Sequence, residues 1–238
     1  NYATAGWILK ANIGKSFRVP IPKELGTDGV NYHIFRYEKG NPNLNPEESY
    51  QLDAGIHWGN DRLTIQFDPY LNYFPNYIYM NPTPNYYEGL QWYYYTQSRV
   101  IRCGFELQAD WKILPSLSAE FKGEYLYAEQ LSGEKKGYTL PFSTPWSADA
   151  TLRYAFCRKN VGNEGFVAMN MHVTGRQNNI VPPEKPTPGY YTLNLTAGKD
   201  FAFGERTLRL SLNAENLLNR KYYDHTSFYR LIDVPEPG

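Results

Sequence analysis

Residues 40–58 constrain this chain more than any other stretch. A turn-forming run, Gly40-Asn41-Pro42-Asn43-Leu44-Asn45-Pro46-Glu47-Glu48-Ser49, leads into residues that alternate without a break. Tyr50, Leu52, Ala54, Ile56 and Trp58 share one face, and Gln51, Asp53, Gly55 and His57 share the other. A rigid Asn/Pro turn feeding a long two-faced strand is how a large barrel brings a surface loop back into its wall.

The same period of two recurs along the chain and helical periodicity is nearly absent, which predicts an all-β fold. Nine strands are expected, over residues 7–17, 48–58, 62–74, 97–111, 117–127, 147–156, 165–174, 190–199 and 207–217. Pro69 interrupts an apolar face and predicts a bulge or local break. Lys15 sits on the apolar face near a strand end, where a long cationic side chain can snorkel.

The connections sort by length. Residues 59–61, 112–116, 157–164 and 200–206 are short; 19–47, 75–96, 128–146 and 175–189 are long. Short turns at one end and long loops at the other are the pattern of an antiparallel transmembrane barrel. Trp7, Trp58 and Trp111 all fall on apolar faces at the short-turn end, while Phe17, Tyr73, Tyr125, Tyr127 and Trp146 gather at the other. Two such rims match the aromatic girdles of a membrane wall. The opposite faces carry charges of both signs, including Lys10, Asp53, Arg62, Arg102, Glu106, Glu120, Lys122, Asp149 and Arg209, as a wet or polar-packed lumen allows.

Composition excludes several classes. The formal net charge is zero, so nothing favours nucleic acid as a partner. No stretch approaches the length of a transmembrane helix. The 22 tyrosines suit surfaces where one end of the ring is apolar and the other wet. Cys103, on an apolar strand face, and Cys157, in an expected turn, form no CxxC pattern and are not expected to pair. His33, His57, His172 and His225 lie on separate elements, and no catalytic or phosphate-binding motif occurs, so neither an enzyme, a metal site nor a cofactor is expected. Asp53 and His57 share a face and are expected to make a plain hydrogen bond.

Four stretches, in order, resemble TonB-dependent outer-membrane receptors. They are residues 11–20 with Lys23-Glu24-Leu25, the Gly40–Glu47 turn, Ile101 to Leu107, and Asn213-Ala214-Glu215-Asn216-Leu217-Leu218-Asn219-Arg220-Lys221-Tyr222-Tyr223-Asp224-His225. The resemblance implies an antiparallel barrel of about 22 strands around an N-terminal plug. On that basis residues 1–238 are expected to be the C-terminal portion of such a barrel, a single incomplete domain without its plug or last strand. Alone, such a piece is expected to transport nothing and to need detergent, self-association or a partner.

The resemblance further implies a location in the outer membrane of a Gram-negative bacterium and import of a ferric chelate, haem, cobalamin or similar small nutrient. The implied partners are outer-membrane lipid, the plug and remaining strands of the same precursor, and TonB acting through the plug. Ligand contacts would then come from loop aromatics and cations. The candidates are Tyr77, Tyr79, Tyr86, Tyr87, Trp92 and Tyr94 in one loop, with Tyr93 and Tyr95 beside them, and Tyr32, His33 and Arg36 in another. Rigid aromatic area suits a bulky ligand, and arginine can pair with an anionic chelate. Their alternative role is girdle and loop packing. The residues alone also allow a passive porin or a soluble carbohydrate-binding β-sandwich.

Overall fold

The alternating segments pair with their sequence neighbours to form one long meandering sheet. The computed structural model describes the backbone of residues 2–4 together with residues 6–156 and 164–236. The strands are β1 (Tyr2–Thr4), β2 (Trp7–Arg18), β3 (Asp28–Asn31), β4 (Arg36–Lys39), β5 (Glu47–Gly59), β6 (Leu63–Tyr87), β7 (Leu90–Leu114), β8 (Leu117–Gln130), β9 (Ser147–Phe156), β10 (Gly165–Thr174), β11 (Tyr190–Phe203) and β12 (Arg206–Ala214). A one-turn helix, α1 (Pro22–Gly26), precedes β3. The order is β1-β2-β5-β6-β7-β8-β9-β10-β11-β12, antiparallel throughout, with β1 and β12 as the open edges.

All nine expected strands are present, two of them (β9 and β10) with the expected bounds. The ninth ends earlier than expected, at Ala214. The short turn expected over 157–164, and Cys157 with it, falls almost wholly outside the described residues. Cys103 is a free thiol on the apolar face, in register with Leu71 and Tyr127.

The largest departure is the segment 75–96, expected to be a loop. It is a continuation of β6 and β7 into a tall hairpin closed by Glu88 and Gly89, both with positive φ. Such a primed two-residue turn matches the twist of the strands it joins. Register shifts between Phe74 and Tyr77, and again between Pro82 and Tyr86, explain why the alternation fades there. Each extra residue moves the following side chains to the other face. Pro69, by contrast, causes no shift. It pairs with Phe105, and the irregularity is confined to the other side, where Ala54 and Gly55 have no ladder partner on β6.

One face of the meander is apolar and exposed. Leu9, Ile13, Leu52, Ile56, Leu71, Phe121, Leu152, Met169, Met171, Leu208, Leu210 and Leu212 all lie open on it. The expected rims are in place. Trp7 and Trp58 are ladder partners with ring centroids 6.3 Å apart at the short-turn end, and Tyr50 and Tyr73 are partners at 6.5 Å at the long-loop end. Lys15 lies over the Tyr50 ring and pairs with Glu48 at 3.2 Å, which carries its charge to the long-loop rim.

The opposite face is polar and internally bonded. Asp149 joins His172 at 3.0 Å and Asn170 at 3.3 Å, Asn170 accepts from Asn194 at 3.1 Å, and Arg209 grips Asp200 through two contacts of 2.7 Å. His57 bonds Asp68 at 2.8 Å rather than the expected Asp53, whose carboxylate instead takes Asn12 and Gln51. The cause is register. Residues 53 and 57 stand two pleats apart on one strand, whereas Asp68 reaches His57 from the neighbouring strand beside its ladder partner Gln66.

Candidate ligand-contacting crown

Two of the sequence motifs meet at the long-loop end and hold it together. Arg18 donates to Glu47 at 3.0 and 3.2 Å and to both oxygens of Glu24 at 3.0 and 2.9 Å. Glu24 caps its own helix by accepting from the Ile21 N–H at 2.9 Å. In the Asn/Pro turn, Asn41 accepts from the Asn43 N–H at 3.0 Å, and Leu44 is buried against Ile78 and Tyr95. Gln97 of β7 bonds both backbone groups of Asn45, at 2.9 and 2.7 Å. Gly40 is required for close approach, since a Cβ there would lie 2.7 Å from the Gly26 nitrogen.

The hairpin β3–β4 lies above this clasp, and β4 adds to β7 in parallel, placing Tyr37 beside Trp92 and Lys39 beside Tyr94. The result is an aromatic group on the tall hairpin. Tyr37 stands 4.8 Å from Tyr87 and 5.3 Å, edge-on, from Trp92, and Lys39 lies 5.7 Å over the Trp92 ring. Next to it is a cavity of about 400 Å³ lined by Lys39, Asn41, Thr83, Asn85, Trp92 and Tyr94.

The sequence candidates therefore divide. Trp92 and Tyr94 line this cavity, Tyr87 flanks it, and Tyr86 is exposed near the tip. Tyr32 and His33 are exposed in the β3–β4 turn. Tyr77 is half-buried, and Tyr79, Tyr93 and Tyr95 are buried. Arg36 is buried too, bonded to Glu38 at 2.9 Å and stacked 5.1 Å over Tyr93. Burial works to raise the Glu38 carboxyl, but hydrogen bonds from Lys23 and Arg36 outweigh it and hold the group below the ordinary range. Burial pushes the Tyr93 phenol up to about 12. Tyr37 was not among the candidates; its role depends on a parallel strand pairing that no local pattern announces.

The segment after β12 closes the crown from the other side. Asn216 and Asn219 take positive φ, and Asn216 makes reciprocal bonds with the Arg220 backbone at 3.0 and 2.9 Å. Tyr222 stacks on Tyr190 at 4.1 Å, and His225, 1% exposed, bonds Thr187 at 3.0 Å. Phe228 then packs 5.2 Å from Phe142, and Arg230 reaches Glu184 at 2.7 Å while lying 4.6 Å over the Phe142 ring. Loops 131–146 and 175–189 are thereby tied to the β3–β4 hairpin, because Phe228 also lies under Arg36 at 5.2 Å.

Comparison with known proteins matches this architecture. The family described as TonB dependent receptor-like, beta-barrel matches residues 1–217. Among solved structures, the copper transporter OprC is similar with a TM-score of 0.78 at 19% identity, covering 100% of this chain and 36% of that one. The FrpB iron transporter from Neisseria meningitidis gives 0.66 at 15% identity, over 99% and 36% of the two chains. The ferric yersiniabactin uptake receptor FyuA from Yersinia pestis gives 0.64 at 16%, over 92% and 31%. This chain thus spans about a third of the length of these receptors. With its family match, its open antiparallel meander and its two aromatic rims, the chain belongs to the TonB-dependent receptor β-barrel family.

Proposed function

We propose that this chain supplies barrel wall and extracellular crown to an outer-membrane receptor that imports a scarce nutrient. The observation that carries the proposal is the division of the sheet. A charge-poor apolar belt with aromatic rims faces one way, a hydrogen-bonded polar face the other, and a built aromatic crown stands above them. A lipid-facing wall needs the first, a polar lumen needs the second, and capture of a bulky solute uses the third. Transport belongs to the family, and no catalytic step enters this account.

The nutrient class we favour is a metal complex, such as a ferric chelate, with haem and cobalamin as related cases. Support comes from solved relatives described as copper and iron transporters and siderophore receptors. The partners are outer-membrane lipid, a plug within the complete barrel, and TonB, which couples the inner-membrane proton gradient to release. Tyr87, Trp92 and Tyr94, with Tyr37 and Lys39, are the crown residues best placed to touch ligand.

The test is uptake by cells that express the full-length receptor, with and without TonB, using radiolabelled iron and copper presented with a panel of chelators. The proposal predicts accumulation of at least one complex that disappears without TonB or when the proton gradient is collapsed. Uptake indifferent to both would identify a passive pore instead.

A further inference from the structure

Beneath the crown, the polar wall holds a cation, Arg102, that has no acid paired with it among the described residues. Arg102 of β7 stands in register between Asn72 of β6 and Ala128 of β8. Its Nε is buried and has no hydrogen-bond partner. Arg102 forms none of the ion pairs found among the described residues. Arg18 shows the contrast. Both arginines act on Tyr77, but Arg18 is enclosed by Glu24 and Glu47. The carboxylates Glu106 and Glu124 face each other further down the wall, four residues along β7 from Arg102.

Arg102 opens on a cavity of about 230 Å³ roofed by loop 131–146. Leu126, Leu140 and Phe142 give it apolar walls, and Tyr77 and Thr144 bring hydroxyls. The volume is below the roughly 300–1,000 Å³ of whole-ligand pockets, so it suits one arm of a larger molecule. A guanidinium presents a planar fork matched to two oxygens of one anion. Apolar walls reduce the competition from water and strengthen that contact.

We propose that Arg102, with Tyr77, forms a subsite for an oxyanion carried on a small apolar body, such as an aromatic carboxylate or phosphate ester. The inference rests on the import proposal only in taking the polar face to be reached by ligand. Its test needs no transport, so the two can fail separately.

The detergent-solubilised full-length receptor is titrated with benzoate, phenyl phosphate and benzyl alcohol, followed by ligand-observed NMR. Saturable binding of benzoate or phenyl phosphate, without binding of benzyl alcohol, is the expected result. Response to both anions means that the oxyanion alone is recognised, and response to one identifies its source chemistry. Arg102→Gln should weaken the anion by about tenfold or more, and Arg102→Lys by less, because charge survives while the fork is lost. Tyr77→Phe, which keeps the ring, should cost a few-fold and gives a readout if Arg102→Gln does not fold. Equal binding of benzyl alcohol and benzoate, absence of anion binding, or unchanged affinity in the folded Arg102 variants would overturn the proposal.

Discussion

Arg18 and Glu47 are the last partners in the β2–β5 ladder, and the guanidinium of one holds the carboxylate of the other at 3.0 and 3.2 Å. This pair links two motifs far apart in sequence. Glu24, from the segment after β2, takes the remaining edge of Arg18, and Glu47 also accepts from the Ile78 N–H at 2.6 Å. One carboxylate thus fixes the end of one hairpin and the start of the tall extension of the next.

Removing that carboxylate should therefore be felt beyond the pair. Glu47→Ala strands the Ile78 N–H and half of the Arg18 fork, at a cost of about 1–3 kcal/mol. Lys15→Ala breaks exposed contacts, with Glu48 and with the Tyr50 ring, and should cost about 0–1 kcal/mol. Unfolding midpoints of the full-length receptor in detergent compare the two, and equal effects would show that the clasp has no special weight.

The apolar belt predicts a strong asymmetry between faces. Met169, in the middle of β10, is exposed on the apolar face. Met169→Arg should lower stability in a bilayer by about 2–4 kcal/mol, the cost of a cation near the midplane. Met169→Leu should be close to neutral. Folding titrations in urea into lipid vesicles read both, and tolerance of arginine would place that face in water.

Arg230 and Glu184 are almost entirely buried, with side chains 7% and 1% exposed. Arg230→Ala leaves a buried carboxylate without its cation, which costs about 3–5 kcal/mol locally. Loops 131–146 and 175–189 should become sensitive to limited proteolysis, while β9 to β11 stay protected. Unchanged loop protection would show that the segment after β12 does not secure them.

A pH effect follows at the same place. Burial, reinforced by Arg230, lowers His225 to about 4 from an ordinary 6.5, against the opposing pull of Asp224. Above pH 6.5 both docked and released segments carry neutral His225, so it contributes no pH dependence there. As pH falls from about 6.5 to about 4 the released form takes a proton that the docked form refuses, and docking weakens by up to roughly 3 kcal/mol. Glu184 has the opposite sign. Burial raises its carboxyl despite Arg230, so its contribution is fullest below the unfolded carboxyl value of 4.5 and is lost as pH rises through its folded one. Hydrogen exchange over residues 222–234 should accelerate as pH drops from 6.5 to 4, after correction for intrinsic rates. His225→Asn should remove that acceleration, and its persistence would assign the effect elsewhere.

Much of the wall was legible because lipid and lumen impose a strict period of two. β9 and β10 emerge to the residue, as Ala148, Ala150 and Leu152 alternate with Asp149, Thr151 and Arg153. Above the belt that constraint lapses. Residues 75–96 carry Pro75, Pro82 and Pro84 and two register shifts, so a strand there has the composition of a loop. The candidate site was legible as a group of aromatics but not in its arrangement. Tyr93 and Trp92 are adjacent, yet one is buried under Arg36 and the other lines a cavity. What separates them is β4 and Phe228, which approach from distant parts of the chain. Arg36, a ligand candidate by residue type, is instead occupied by Glu38 for the same reason.

In the barrel wall, alternate residues of each strand should face lipid and lumen. Single spin labels at residues 166–173 of β10, in the full-length receptor with Cys103 and Cys157 replaced and reconstituted in lipid vesicles, test it directly. Val167, Met169 and Met171 should be accessible to oxygen dissolved in the bilayer, and Ala168, Asn170 and His172 to a water-soluble nickel complex. Uniform access to the nickel complex along β10, with no alternation, would contradict the membrane wall.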